Sequence, residues 1–276
     1  MKLVVCGCSW SSRDNTLPDT EFGALAAKHF DLEYTNLATV GASNFVIRNQ
    51  IDYAINTLKA DFIIVNWTTP CRTEWAKTDA LYDFSKTIEN FDYTINPTSP
   101  VNHSHPANPT KNPNFLFNSI TTILDQESYS DWLENELHSR GLTVTEKQFL
   151  TMKNYFLHWY REDLDVAKQM HYVKSAIYDL EKSNTKYLMS LNTLLFMQAS
   201  NSNLYDYEHL INPIPEEFNI QGIASMLRFH DIEIKGWTDY ADNPGKDLTY
   251  HISPEAQQYY FNSLLKDRVS KILCIV

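Results

Sequence analysis

Apolar residues follow two rhythms along this chain, and each change of rhythm marks a new element. Residues 2–6 (KLVVC) are a run of β-formers that stops at Gly7, which predicts a first strand. Within residues 21–30, Phe22, Leu25, Ala26 and Phe30 recur at helical spacing. Residues 34–38 predict a short second strand. Ser43 then stands as a cap before a second helix, whose apolar face is Ile47, Ile51, Ile55 and Leu58. Residues 61–67 (DFIIVNW) form a continuous apolar run, the pattern of a strand buried on both faces. This strand–helix–strand–helix–strand opening predicts an α/β fold, a parallel sheet covered by helices.

The rhythm then stops. Residues 77–145 read as a largely irregular or helical insertion lying on the surface of a single domain that spans residues 1–276. Its middle, NPTSPVNHSHPANPTKNPN, is rich in Pro, Asn, Ser and Thr and reads as loop. Order returns with one long helical stretch over residues 146–182, where Val166, Met170, Val173, Ile177 and Leu180 make a single apolar stripe. Residues 186–192 (KYLMSLN) predict another strand and residues 232–235 (IEIK) a short fifth. A final helix closes the chain, with Ser253 as N-cap, Pro254 at its first position and Glu255 in its first turn.

Composition narrows the partners. The 276 residues carry a formal charge of -11, and so acidic a surface repels phosphate backbones and anionic membranes. Only 7 glycines occur, with neither a GxGxxG nor a GxxxxGK[ST] pattern, so a phosphate-cradling loop is not expected. The first ten residues hold one short apolar run, which reads as a strand rather than a signal peptide, and no stretch is long enough for a membrane span. Cys6, Cys8, Cys71 and Cys274 are too few and too badly spaced for a disulfide scaffold. The expectation is synthesis in a reducing cytoplasm with free thiols. His103 and His105 have a metal-like His-x-His spacing, but no further ligands stand near them in the sequence, so no metal or other cofactor is expected.

In an open parallel sheet, sites form beyond the carboxyl ends of the strands. Four segments of this chain are predicted to meet there. They are Gly7-Cys8-Ser9-Trp10, residues 36–44 (NLATVGASN), residues 66–72 (NWTTPCR), and residues 247–256 (DLTYHISPEA). Together they supply a serine, a glycine turn with an asparagine, a polar strand end, and an Asp/His pair. Those are the parts of an acyl-transfer site: nucleophile, oxyanion donors and general base.

With these residues in view, the chain resembles the SGNH (GDSL-like) hydrolases, a superfamily of lipases and esterases. The resemblance covers the N-terminal third and the last thirty residues. Gly7-Cys8-Ser9 matches the family's Gly-Asp-Ser block, Gly41 its second-block glycine, and His251 the histidine before the C-terminal helix. The series GCSW, NLA, GASN and VNWTTPCRTEW is also similar to hydrolase-like proteins of tailed phages of marine bacteria. The resemblance implies a three-layer flavodoxin-like sandwich and a serine ester hydrolase acting on a small or carbohydrate-linked ester. It implies Ser9 as nucleophile and His251 as base. The backbone N–H groups of Ser9 and Gly41 would form the oxyanion hole, with a side chain from Thr68, Asn44 or Asn66. Trp10, Trp67 and Arg72 are the candidate substrate contacts.

Two departures from the family pattern stand out. Thr68 occupies the position of the third-block asparagine, and Asp247 precedes His251 by four residues rather than three. Asp242, Asp239 or a Ser–His dyad are therefore alternatives for the acid. These departures also feed a second expectation: an inactive or repurposed SGNH-like domain serving as a binding or structural module, including on a virus particle. A glycan or small-molecule ester is the expected ligand, with a homo-oligomer or a virion as the wider assembly.

Overall fold

Alternation with a period of two lets one strand bury both of its faces, and the first strand does so. In β1 (Lys2–Gly7), Val4 and Cys6 face one helical layer while Leu3 and Val5 face the other. The computed structural model describes residues 1–8, 10–12, 19–38, 42–68, 72–76, 115–119, 146–159, 162–191, 213–220, 222 and 254–274. After β1 come α1 (Phe22–Phe30), β2 (Glu33–Asn36), α2 (Asn44–Asn56), β3 (Phe62–Asn66), β4 (Arg72–Ala76) and β5 (Phe115–Ser119). Then follow α3 (Glu146–His158), α4 (Glu162–Lys182), β6 (Lys186–Ser190) and α5 (Pro254–Tyr260). Last, α5 widens into a π-helical turn, Phe261–Leu265, and continues as α6 (Lys266–Leu273).

Four strands form one all-parallel sheet in the order β2-β1-β3-β6. On one face, Ile63, Val65 and Met189 join Val4 and Cys6 beneath Ile47, Ile51 and Ala54 of α2 and Val173, Ile177 and Leu180 of α4. Phe62, Ile64 and Leu188 pack on the opposite face against Phe22 and Ala26 of α1, and against Tyr260, Leu265 and Val269 near the C-terminus. The chain is thus an α/β protein with helices on both faces of a parallel sheet, as the apolar rhythm predicts. Arg48 ties α2 to α4: its Nε donates to Ser175 Oγ at 2.9 Å, and its guanidinium pairs with Asp179.

The predicted cap is present, with Ser43 Oγ accepting from the backbone N–H of Val46 at 3.3 Å. Strand β2 stops at Asn36, two residues short of the expected end. The cause is local: the Asn36 side-chain oxygen accepts from the Ala38 N–H at 2.9 Å and turns the chain.

Three expectations need revision or relocation. The predicted single helix over residues 146–182 is two helices, α3 and α4, and neither proline nor glycine marks the break in the sequence. Part of the stretch read as irregular is ordered: β5 pairs antiparallel with β4, with Arg72 opposite Ser119 and Ala76 opposite Phe115. The strand expected at residues 232–235 lies outside the described residues, as does the Pro-rich middle of the insertion. Beside β6, a short parallel bridge forms with Asn219: Met189 N–H donates to Phe218 O at 2.9 Å, and Ile220 N–H to Met189 O at 2.8 Å. Arg268 of α6 holds that segment by donating to the carbonyls of Asn219 (2.6 Å) and Glu216 (3.0 Å).

Candidate functional site at the carboxyl edge of the central strands

β1 and β3 are adjacent and in register, so Gly7 stands directly opposite Asn66. The chain therefore leaves both strands side by side, about 4.8 Å apart. After β1 it turns at once, with the N–H of Ser11 donating back to the carbonyl of Cys8 at 2.9 Å. Ser11 is completely buried and joins three strand ends. Its hydroxyl accepts from Asn66 Nδ2 at 2.8 Å, and its carbonyl accepts from Asn36 Nδ2 at 2.8 Å.

Glycine at position 7 follows from this packing. A Cβ there would lie 2.9 Å from Ser11 Oγ, 3.0 Å from Ser11 Cβ and 3.2 Å from the Asn66 carbonyl oxygen, too close for any side chain.

One helix fixes both exits. Gln50 of α2 accepts from the Gly7 N–H at 2.8 Å and donates to the Gly7 carbonyl at 3.3 Å. Asn44, at the start of the same helix, accepts from the Thr68 N–H at 2.8 Å and donates to the Thr68 carbonyl at 3.0 Å. In each case a side-chain amide takes the place of a neighbouring strand and satisfies both polar groups of the peptide. The N-terminus of α2 consequently lies over the β3 exit. The macrodipole of that helix favours negative charge at this edge.

The site residues expected from the sequence fall into two groups. Ser9, Gly41, Asp247 and His251 lie outside the described residues, together with the alternatives Asp239 and Asp242 and the histidines His103 and His105. Trp10, Asn44, Asn66, Trp67 and Thr68 are described and gather at the edge of β1 and β3, while for Arg72 only its backbone place at the start of β4 is described. Trp10 is half-buried and packs against both helical layers.

Trp67 is different from its expected role. It is wholly buried in the layer between the sheet and helices α2 and α4, so it offers no surface on which a substrate can stack. The apolar run of β3 simply continues through it. Thr68 is also fully buried, and its Oγ1 has no hydrogen-bond partner among the described residues; neither has Asn66 Oδ1 or the indole N–H of Trp67. Three unpaired polar atoms on consecutive residues are unusual in a buried segment.

Asn44, a candidate oxyanion donor, spends both of its amide atoms on the Thr68 backbone. Beneath the exit, Cys6 is encased in the core, and burial pushes its thiol well above the ordinary range, so it stays protonated and inert.

Sequence reasoning missed Ser11 and Gln50. Gln50 had a readable signal: it sits between Ile47, Ile51 and Ala54 on the buried face of α2, where a lone amide requires a partner.

At the opposite side of the site, Gln257 in the first turn of α5 accepts from the N–H of Phe22 at 3.0 Å. Phe22 opens α1, the helix that follows β1, so the start of α5 is tied to the start of α1. Among the described residues no group of three or more His, Cys, Asp or Glu side chains forms a metal site, and no helix is long and apolar enough to cross a membrane.

No protein-family model and no curated protein matches the chain.

Proposed function

We propose that the chain is a serine ester hydrolase of SGNH type on a flavodoxin-like sheet, acting on a small or carbohydrate-linked ester. The observation that carries this reading is the pairing of Gly7 with Asn66, with the N-terminus of α2 held over the β3 exit by Asn44. Ser9 and Thr68 each follow that register pair by two residues in sequence. The resemblance assigns nucleophile and oxyanion block to these two positions. The sheet order supports the reading too, since β2-β1-β3-β6 is the order in which a flavodoxin-like sheet begins. Gln257 supports the remaining partner, because it ties the start of α5, which opens three residues after His251 in the sequence, to the start of α1, the helix that follows β1.

In the proposed reaction Ser9 Oγ attacks the ester carbonyl while His251 takes its proton, then returns it to the leaving alcohol. Water repeats the sequence on the acyl-enzyme. Backbone N–H groups at positions 9 and 41 hold the oxyanion, helped by the dipole of α2. Removing one oxyanion donor typically lowers turnover by about 10²–10³. Hydrolysis of short p-nitrophenyl esters by the purified protein tests the reading. Turnover that disappears in Ser9→Ala and in His251→Ala supports it; turnover unaffected by both sinks it.

One observation favours a second reading, an SGNH-like domain repurposed as a binding or structural module, including on a virion. Thr68, at the position of the family's third-block asparagine, is wholly buried and presents no donor to a ligand. Under this reading the esters above are not turned over although the fold is intact.

A further inference from the structure

We infer that Ser11 and Asn66 form a positioning pair that sets the turn after β1 against the end of β3; the inference rests on the reading of Ser9 as the nucleophile. The turn closed by Ser11 N–H to Cys8 O at 2.9 Å encloses only two residues, positions 9 and 10. Trp10 within it packs against both helical layers, and the residues at its two ends are anchored to the strands. Cys8 is fixed by β1 and by its own burial. Ser11 is fixed by side chains from two other strands, Asn66 from β3 and Asn36 from β2.

Of these contacts, the Ser11 Oγ–Asn66 Nδ2 bond at 2.8 Å is the only one that joins the turn to the β3 exit through two side chains. Both residues are shut off from solvent, so water does not compete for the bond. Gly7 completes the fit by leaving room for Ser11 Oγ between the strands. Fixing the two ends of the segment that carries the proposed nucleophile limits how far that segment can shift against the β3 exit. The two side chains act through Ser9 and touch no substrate.

The experiment has two stages on the full chain. In the first, wild type is treated with a fluorophosphonate and the adduct mapped. In the second, the labelling rate, kcat and KM for a p-nitrophenyl ester, and the thermal midpoint are measured for Ser11→Ala, Asn66→Ala and the double variant. Val269→Ala, a cavity in the remote helix α6, serves as a control for lost stability. The pair predicts a kcat lower by about 10- to 100-fold with KM within about twofold. It also predicts a double variant no slower than the worse single, because one bond is lost in each case. Should Asn66→Ala fail to fold, Ser11→Ala, which removes a single oxygen, carries the comparison.

Unchanged kcat in folded Ser11→Ala overturns the inference while leaving the esterase reading intact. A kcat loss matched by Val269→Ala at equal stability also overturns it. Absence of any Ser9 adduct on wild type overturns the esterase reading and this inference together.

Discussion

Asn44 offers the sharpest test of how the site edge is built. Its two hydrogen bonds, at 2.8 and 3.0 Å, satisfy both polar groups of the Thr68 peptide, in a residue with no exposed surface. Replacing Asn44 by Ala leaves a buried N–H and a buried C=O without partners. Each such orphan costs about 1–3 kcal/mol. A water molecule entering the space vacated by the amide recovers part of this, so the expected loss is about 2–4 kcal/mol, set against a total stability of roughly 5–15 kcal/mol.

Asn44 also lies in the first turn of α2, so part of the loss belongs to the helix start. Ser43→Ala isolates that contribution. It removes only the cap, a 3.3 Å bond to Val46 N–H, worth about 1 kcal/mol. Urea unfolding followed by circular dichroism gives both values, with an unchanged slope showing that stability alone has moved. A loss in Asn44→Ala at least twice that in Ser43→Ala is the expected result. Equal losses in the two variants would refute the clamp, because the Thr68 peptide would then gain nothing from Asn44.

Other consequences follow from the same packing. Gly7→Ala places a methyl 2.9 Å from Ser11 Oγ and is expected to destabilise by about 1–3 kcal/mol and to slow ester turnover; wild-type stability in that variant contradicts the close packing. Among the described residues the buried Tyr187 hydroxyl has no hydrogen-bond partner, so Tyr187→Phe is expected to leave thermal stability unchanged or to raise it, and a clear loss would show a hidden partner. Burial, with smaller contributions from Glu181 and Glu217, pushes the Tyr187 phenol up to about 12. Above the ordinary tyrosine value of about 10 the unfolded chain loses that proton while the folded chain keeps it, so stability falls as pH rises from about 10 to 12. Tyr187→Phe should make that fall shallower, which pH-dependent unfolding measures. Arg268→Ala removes the donor that holds the carbonyls of Glu216 and Asn219, and hydrogen exchange at the Ile220 amide should speed up while that of Ile63 does not.

The sheet and its helices were legible because burial imposes a period. β1, β3 and β6 read as apolar runs and α2 as Ile47, Ile51 and a Ser43 cap, since each of those signals is local. The β4–β5 pair was not legible. Its two strands are separated by a long Pro- and Asn-rich stretch, and pairing between distant segments leaves no periodic trace in either. Helix α3 ends at His158 and α4 begins at Glu162, and no residue type in the sequence between them forbids a helix.

At the site, residue types were readable but their partners were not. Asn44 stands in the sequence as a substitute for the third-block asparagine, yet its amide turns to the Thr68 backbone. Trp67 reads as a candidate substrate contact, yet the core of β3 extends one residue further and absorbs it. Ser11 escaped notice because nothing local marks a serine that is buried by three strands at once.

The claim that this edge carries a serine nucleophile is tested most directly by covalent trapping. Purified protein is incubated with a fluorophosphonate, digested, and the modified peptide sequenced by mass spectrometry, in parallel with His251→Ala. The account predicts a single adduct on Ser9 in wild type and its loss in His251→Ala. An adduct on another residue, or none in a protein shown to be folded, would contradict it.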